Sequence, residues 1–248
     1  MSAPAASPAI RLAAHPPGIG IVAPFDLALD RELWRWTPEP VSLYVTRTPH
    51  VDVKVSVELA ELLGDPDAIA AACRDVSVAE PAVTAYLCTS ASFVAGLAGK
   101  AKLRATMEAG GARSAITTSG ALLTALQELG SPPVALATPY DALLTERLVA
   151  FLAEAGVATT ATRHLGLGGD IWRLSSDSVR ALALGLPLDG AGAVFLACTN
   201  LPTYDVIPSL EAELGVPVLS ANLVTMWAAL RRLGTLPEAR PERLFAVG

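Results

Sequence analysis

The chain has 248 residues, 52% of them hydrophobic and only 17% charged, with a formal net charge of −6. That composition excludes a disordered chain, and the lack of a Lys/Arg stripe or of interleaved basic and aromatic residues argues against a nucleic-acid partner. No uninterrupted apolar run reaches the roughly 18 residues of a membrane span, and three cysteines, an odd number in a long chain, do not suggest a disulfide framework but reduced thiols in a cytoplasmic setting.

Residues 1–17 are rich in Ala, Pro and Ser, lack the basic start and apolar centre of a signal peptide, and read as a flexible leader. GIGIVAP (18–24) is then a strand, followed by a loop with Asp26 and Asp30, and VSLYVTRT (41–48) is a second strand. DPDAIAAACRDVSV (65–78) reads as a helix capped by Asp65 with Pro66 in its first turn. AVTAYLC (82–88) is a strand, with a helix from about Ser92 to Glu108; SAITTSG (114–120) is a strand end, with the helix ALLTALQEL behind it. PVALATPY (133–140) leads to the helix 141–156, closed by Gly156. The strand VATTATRHL, the helix SDSVRALALGL, the strand GAVFLAC (192–198), a helix around 202–214, the strand VPVLSAN (216–222) and the helix LVTMWAALRRLG complete the order.

Strands alternating with helices predict an α/β fold in which parallel sheets are flanked by helices. Ligands on such sheets lie beyond the C-terminal strand ends, where the polar clusters APFD, CTSAS, TTSG, TPY, CTN and SAN fall. The sequence also echoes itself: AVTAYLCTSAS and AVFLACTNL each run strand, Cys, Thr and a small polar residue. Two similar lobes facing each other would set one cysteine on each side of a cleft. We expect a first lobe of residues 18–115 plus 221–248 and a second of 116–220.

A cysteine at a strand end has two readings. It is a small packed hydrophobe, or it is a thiol at a strand-to-helix junction, where free N–H groups favour thiolate and bind an anion. In the second reading Thr89, Ser90, Thr199 and Asn200 supply donors for an oxyanion, and Cys88 and Cys198 exchange protons with, or add to, one substrate carbon from opposite faces. Cys73, within AIAAACRDV and without a polar turn behind it, is assigned to core packing.

YLCTSAS, TPY and ACTNLP, together with IVAPFDLALDREL, resemble the aspartate/glutamate racemase superfamily, in its maleate cis–trans isomerase and arylmalonate decarboxylase branch. The resemblance runs over nearly the whole chain after residue 18. It implies two pseudo-symmetric lobes with the active site in the cleft between them, and neither a metal nor an organic cofactor. It makes Cys88 the nucleophile and Cys198 the acid or base, and Tyr140, Thr89 and Ser90 donors to substrate. It also implies a small-molecule carboxylate substrate or a close relative, and a homodimer. Decarboxylases of this branch keep only the second cysteine, so the presence of both points to isomerisation or racemisation. Two positions depart from the pattern: Asp26 stands where the family carries an asparagine, and Asp170 falls at or near a second one. An ionised carboxylate only accepts hydrogen bonds and repels a dianion, which favours an ammonium-bearing, monoanionic or neutral substrate. A protonated Asp26, or one that braces its loop, is the other reading.

The remaining signals are weaker. GLGGD (166–170) lacks the strand–GxGxxG–helix order of a nucleotide site and reads as a loop over the cleft. His15, His50 and His164 lack zinc spacing, so no metal site is expected, although His50 follows a strand and can reach the cleft. Trp34 and Trp36 cover the pocket mouth or pack in a core or interface. Asp30 and Glu32 match acidic positions after the family's first turn, and fit a solvated helix start equally well. Ser119 and Asn222 line the cleft or cap helices.

Overall fold

The computed structural model describes residues 17–247. The expected leader, with His15, lies outside the described residues apart from Pro17. Among the described residues, eight strands form two four-stranded sheets. The first holds β1 (Gly18–Ala23), β2 (Ser42–Arg47), β3 (Val83–Tyr86) and β4 (Ala115–Thr117), and the second holds β5 (Val134–Thr138), β6 (Thr159–His164), β7 (Ala193–Leu196) and β8 (Val218–Ser220). Their orders are β2-β1-β3-β4 and β6-β5-β7-β8, the same pattern twice, and every pairing is parallel. The internal echo of the sequence is therefore a repeat of topology.

The central strands β1, β3, β5 and β7 are buried along their whole length, as unbroken apolar runs covered on both faces must be. The edge strands β2 and β6 carry SLYVTR and TTATRH, with exposed positions interleaved, so polar side chains meet water at the edges.

Among the described residues, ten α-helices surround the sheets: α1 (Asp30–Trp36), α2 (Val57–Leu63), α3 (Pro66–Ser77), α4 (Thr89–Phe93), α5 (Gly96–Ala109), α6 (Thr118–Glu128), α7 (Ala142–Glu154), α8 (Ser176–Leu184), α9 (Ile207–Leu214) and α10 (Ala221–Leu233). Short polar side chains start most of them by accepting an otherwise unpaired N–H. Asp65 caps α3, with Pro66 behind it, and Asp141 caps α7. Thr117 and Ser220, each ending the fourth strand of its sheet, cap α6 and α10. These two helices pack on one another, and α10 also reaches β3, β4 and α1. That central position explains why its residues 221–230 are all buried.

Two expected helices differ, and α1 stands where a loop was expected. The helix expected from Ser92 to Glu108 is two helices, α4 and α5, broken at Gly96, whose φ of +68° suits glycine alone. The helix expected around 202–214 begins only at Ile207. The short helix α2 was not foreseen; Ser56 caps it.

Candidate functional site

Beyond each sheet the chain leaves its two central strands in opposite directions, and this is where such folds open a crevice. In the first sheet the turns after β1 and β3 carry Asp26 and Cys88. In the second, the turns after β5 and β7 carry Tyr140 and Cys198. The two cysteines thus hold matching places, each two residues past its strand.

Cys88 has extended backbone, φ −142°, and directly precedes the first turn of α4. It is buried, and its Sγ lies 3.8 Å from Ser90 Oγ. Burial raises its pKa, opposed by the Ala91 N–H and the Ser90 hydroxyl. Cys198 differs. Its φ is +89°, a region that a residue with a Cβ occupies only when its surroundings force it. It is partly exposed, and the Asn200 N–H donates to its Sγ at 3.4 Å. The protein packed around this thiol pushes it up to about 12, against the Asn200 N–H. A helix start does not follow Cys198, contrary to expectation: Pro202 and the turn through Val206 intervene before α9, so this sulfur faces a single turn N–H.

Tyr140 and Asp26 connect the two thiols. Tyr140 is buried, and its hydroxyl is held well above the ordinary phenol range, first by burial and then by the charges Cys198 and Cys88 would carry as thiolates. The Asp26 carboxylate is raised by burial, offset by its own backbone, the Asn200 amide and Arg47. Its charge in turn pushes up both thiols. Four chemically active groups from four turns therefore share one neighbourhood.

The remaining expected residues divide. Thr89 is buried, and its Oγ1 has no hydrogen-bond partner among the described residues. Ser90 stands beside Cys88. Thr199 contributes its carbonyl, which accepts from Asn222 Nδ2 at 3.0 Å. The Asn200 side chain is engaged elsewhere: Oδ1 accepts the Ala28 N–H at 2.9 Å and Nδ2 donates to the Asp26 carbonyl at 3.1 Å. It staples the turn after β1 to the turn after β7. Asp170 is exposed, with φ +53°, and pairs with Arg173 at 3.3 Å. Its loop nevertheless folds back on the TPY turn, Gly166 N–H donating to the Tyr140 carbonyl, and Val55 N–H donates to Gly168 O.

Several contributors went unrecognised in the sequence. Tyr86 lies under Cys88, its hydroxyl donating to the Leu63 carbonyl at 2.7 Å. Its place in YLC, two residues before the thiol, was the available signal. Arg47 donates to the Phe25 and Leu27 carbonyls and so holds the Asp26 turn. His50 packs edge-on against Phe25, ring centres 4.8 Å apart. Of the two readings of Glu32, the solvated helix start is the one that fails. Glu32 is buried, and it accepts from Thr203 N at 2.7 Å, Tyr204 N at 3.0 Å and Asn222 Nδ2 at 3.1 Å. Trp36 is in the core, its Nε1 donating to Glu242, whereas Trp34 is exposed. Ser119 and Asn222 are the second residues of their helices, with Thr117 and Ser220 as the caps.

Among the described residues no cluster of three or more His, Cys, Asp or Glu is arranged to hold a metal, and no helix is long and apolar enough to cross a membrane. A separate cavity of about 790 Å³, lined by Lys100, Arg104, Trp227 and Arg231 among others, contains none of Asp26, Cys88, Tyr140 and Cys198.

The family model described as arylmalonate decarboxylase matches residues 64–245. The arylmalonate decarboxylase of Bordetella bronchiseptica is 39% identical over 173 residues, 66% of this chain and 71% of that protein. The maleate isomerase of Geobacillus stearothermophilus is 30% identical over 167 residues, 64% of this chain and 66% of that one. Among solved structures, a liganded arylmalonate decarboxylase mutant, with one glycine changed to cysteine and one cysteine to serine, superimposes with a TM-score of 0.83 at 31% identity, covering 92% of this chain and 98% of that one. A cysteine-to-serine mutant of Nocardia farcinica maleate cis–trans isomerase, with a covalently bound succinylcysteine intermediate, superimposes equally well (TM-score 0.83, 26% identity, 92% and 98% covered).

Proposed function

The chain belongs to the arylmalonate decarboxylase family, and from that premise we propose that it is a cofactor-independent, two-thiol isomerase of the maleate cis–trans type acting on a small carboxylic acid. The observation that supports this most is the pair of thiols at matching positions, both acting on Tyr140 and both pushed up by Asp26. A decarboxylase that protonates its product from one side needs a single thiol; this chain has two.

In this reading the Cys88 thiolate forms a C–S bond to one alkene carbon, and the π electrons move to the carbon beside the carboxylate. Cys198 delivers its proton to that carbon, giving a saturated thioether. Rotation about the new single bond follows. Cys198 then takes a proton back, the C–S bond breaks, and the trans alkene leaves with Cys88 restored. The succinylcysteine held by the Nocardia mutant is an adduct of this saturated kind, on a protein that had already lost one cysteine. Thr89, Ser90 and Tyr140 orient the substrate carboxylate by donating to it. Cys198, pushed up to about 12, waits as the protonated acid. Asp26 disfavours a second carboxylate beside it, so a monoanionic, neutral or ammonium-bearing substrate fits better than a dianion.

The decarboxylase reading has an observation of its own, the 39% identity to an enzyme of that name. A turnover screen of cis-alkene acids, arylmalonates and α-amino acids separates the readings. We expect cis–trans conversion that Cys88→Ser and Cys198→Ser each abolish. Release of CO₂ from an arylmalonate that survives Cys88→Gly would assign decarboxylation instead, and deuterium incorporated at the α-carbon of an amino acid in D₂O would assign racemisation.

A further inference from the structure

The peptide unit joining Thr199 to Asn200 carries its C=O and N–H on opposite sides of a rigid plane. Fixing one end therefore aims the other. The N–H end points at Cys198 Sγ, 3.4 Å away, and the C=O end accepts from Asn222 Nδ2 at 3.0 Å. The same Asn222 nitrogen donates its second hydrogen to Glu32 Oε2 at 3.1 Å. Both amide hydrogens are thereby used, while Asn222 Oδ1 is buried without a partner.

That orphaned oxygen is informative. A buried acceptor without a donor costs free energy, and turning the amide over would be worse, because it would set Oδ1 against two other oxygens. The Glu32 carboxylate and the Thr199 carbonyl thus dictate the orientation of Asn222. Glu32 is itself fixed by the Thr203 and Tyr204 N–H groups, so it grips the far end of the turn it helps to aim. It sits on α1 and Asn222 on α10, 190 positions apart.

We propose that Glu32 and Asn222 form a positioning relay that aims the Asn200 N–H at the Cys198 sulfur and holds that residue in its left-handed backbone conformation. An N–H donor is one of the few features that favour a thiolate in a buried setting. Cys88 draws on the first turn of α4, whereas Cys198 has this single N–H and needs it held. The inference rests on reading Cys198 as a working thiol, but its test requires no substrate, so a failed turnover screen and a failed relay are distinguishable.

The experiment follows alkylation of each cysteine by iodoacetamide at pH 9 by peptide mass spectrometry, with Tm measured in parallel. Glu32→Gln and Asn222→Ala should each slow Cys198 about tenfold, one pKa unit's worth, while Cys88 changes by less than about twofold, as an independent site does. Their combination should be no slower than the slower single variant, because both cut one chain. The exchanged pair, Glu32→Gln with Asn222→Asp, restores a hydrogen bond between the two side chains but turns a second acceptor toward the Thr199 carbonyl. It should leave Cys198 slow even where Tm is partly regained. Recovery of the Cys198 rate along with Tm reduces the pair to scaffolding and overturns the relay. So does an unchanged Cys198 rate in the single variants, or equal slowing of Cys88. Should the variants not fold, the wild-type protein still decides: the Asn200 amide must be protected from hydrogen exchange and must shift on Cys198→Ser, and rapid exchange there overturns the proposal.

Discussion

The turns that carry Cys88 and Cys198 follow equivalent strands of sheets built to one pattern, yet they are held in different ways. At Cys88 the support is local. The backbone is extended, α4 begins at the next residue, and the helix is latched to α6: Ser119 N–H donates to Ser92 Oγ at 3.0 Å and Ser119 Oγ to Ser92 O at 2.6 Å. At Cys198 the backbone is left-handed, no helix starts before Ile207, and the supporting groups come from the other sheet's half of the chain. Asn200 bonds to the 26–28 turn and Glu32 to Thr203 and Tyr204. One thiol is placed by its own sheet. The other is placed only once the two halves have docked. The same Cys-Thr pattern thus yields two unlike thiols, as an enzyme that asks one to attack and the other to give and take a proton requires.

The largest effect should come from removing the sulfurs themselves. With a cis-alkene acid as substrate, Cys88→Ser and Cys198→Ser should each lower kcat by about a thousandfold or more, as loss of a nucleophile or its acid–base partner does. The two should differ in what they leave behind. Intact-mass measurement should find a substrate adduct on Cys88 in the Cys198 variant and none in the Cys88 variant. An adduct on Cys198 would reverse the roles and break the comparison as drawn.

The pH dependence of the resting thiols comes next in size. An ordinary thiol titrates near 8.5, whereas Cys198 is pushed up to about 12 and Cys73, in the core, to about 11. Alkylation of Cys198 should therefore climb about tenfold per pH unit from 7 to 10 with no plateau, since thiolate is the reacting form. The linkage has a definite sign. The folded pKa lies above the unfolded one, so the contribution to stability is complete below the unfolded value. It is lost as pH rises through the folded one. Stability should accordingly decline above about pH 8.5, and less steeply in Cys198→Ser. A plateau near 8.5 would show that the surroundings of Cys198 do not raise its pKa.

Cutting one support on each side compares the two kinds directly. Asn200→Ala leaves the Ala28 N–H and the Asp26 carbonyl without their partner, and should cost roughly 2–4 kcal/mol in urea unfolding, the range for unpaired buried polar groups plus lost packing. Ser92→Ala removes the acceptor of one N–H and a hydroxyl bond to the Thr89 carbonyl, and should cost about 1–2 kcal/mol. Equal losses would mean that the Cys198 turn does not depend on contacts between the halves.

The sequence made one half of this contrast legible and hid the other. Alternation of strand and helix, the caps at Asp65 and Asp141 and the Cys-Thr echo all rest on neighbours in the chain, and they lead to parallel sheets with polar turns at their ends. Glu32, Asn222 and Arg47 act on partners far along the chain or through backbone atoms, which leave no local pattern. Glu32 in particular resembles any acid in the first turn of a helix, and only the fold reveals that its carboxylate is buried against Thr203. Asn200 was legible as polar and near the thiol. That both ends of its amide are used on the 26–28 backbone was not, because a side chain's partners across 172 positions follow from docking rather than from spacing. Likewise the helix expected around 202–214 begins only at Ile207, after a turn whose Thr203 and Tyr204 N–H groups donate to Glu32, a partner far along the chain.

The smallest effect tests the backbone alone. At Cys198, φ +89° strains any residue with a Cβ, so Cys198→Gly should be more stable than Cys198→Ala by about 1 kcal/mol. At Cys88, φ −142° suits any residue, and there the order should invert. Cys88→Ala should exceed Cys88→Gly by about 0.5–1 kcal/mol, because glycine loses more freedom on folding. Comparing alanine with glycine at each site removes the sulfur from both members of each pair, so lost packing cancels to first order. The urea midpoints, at a shared m-value, then report the backbone term. The same order at both sites would mean that Cys198 is free to relax to ordinary backbone once its sulfur is gone. In that case the thiol would help to create its own strain, and Asn200, Asn222 and Glu32 would not impose the left-handed turn by themselves.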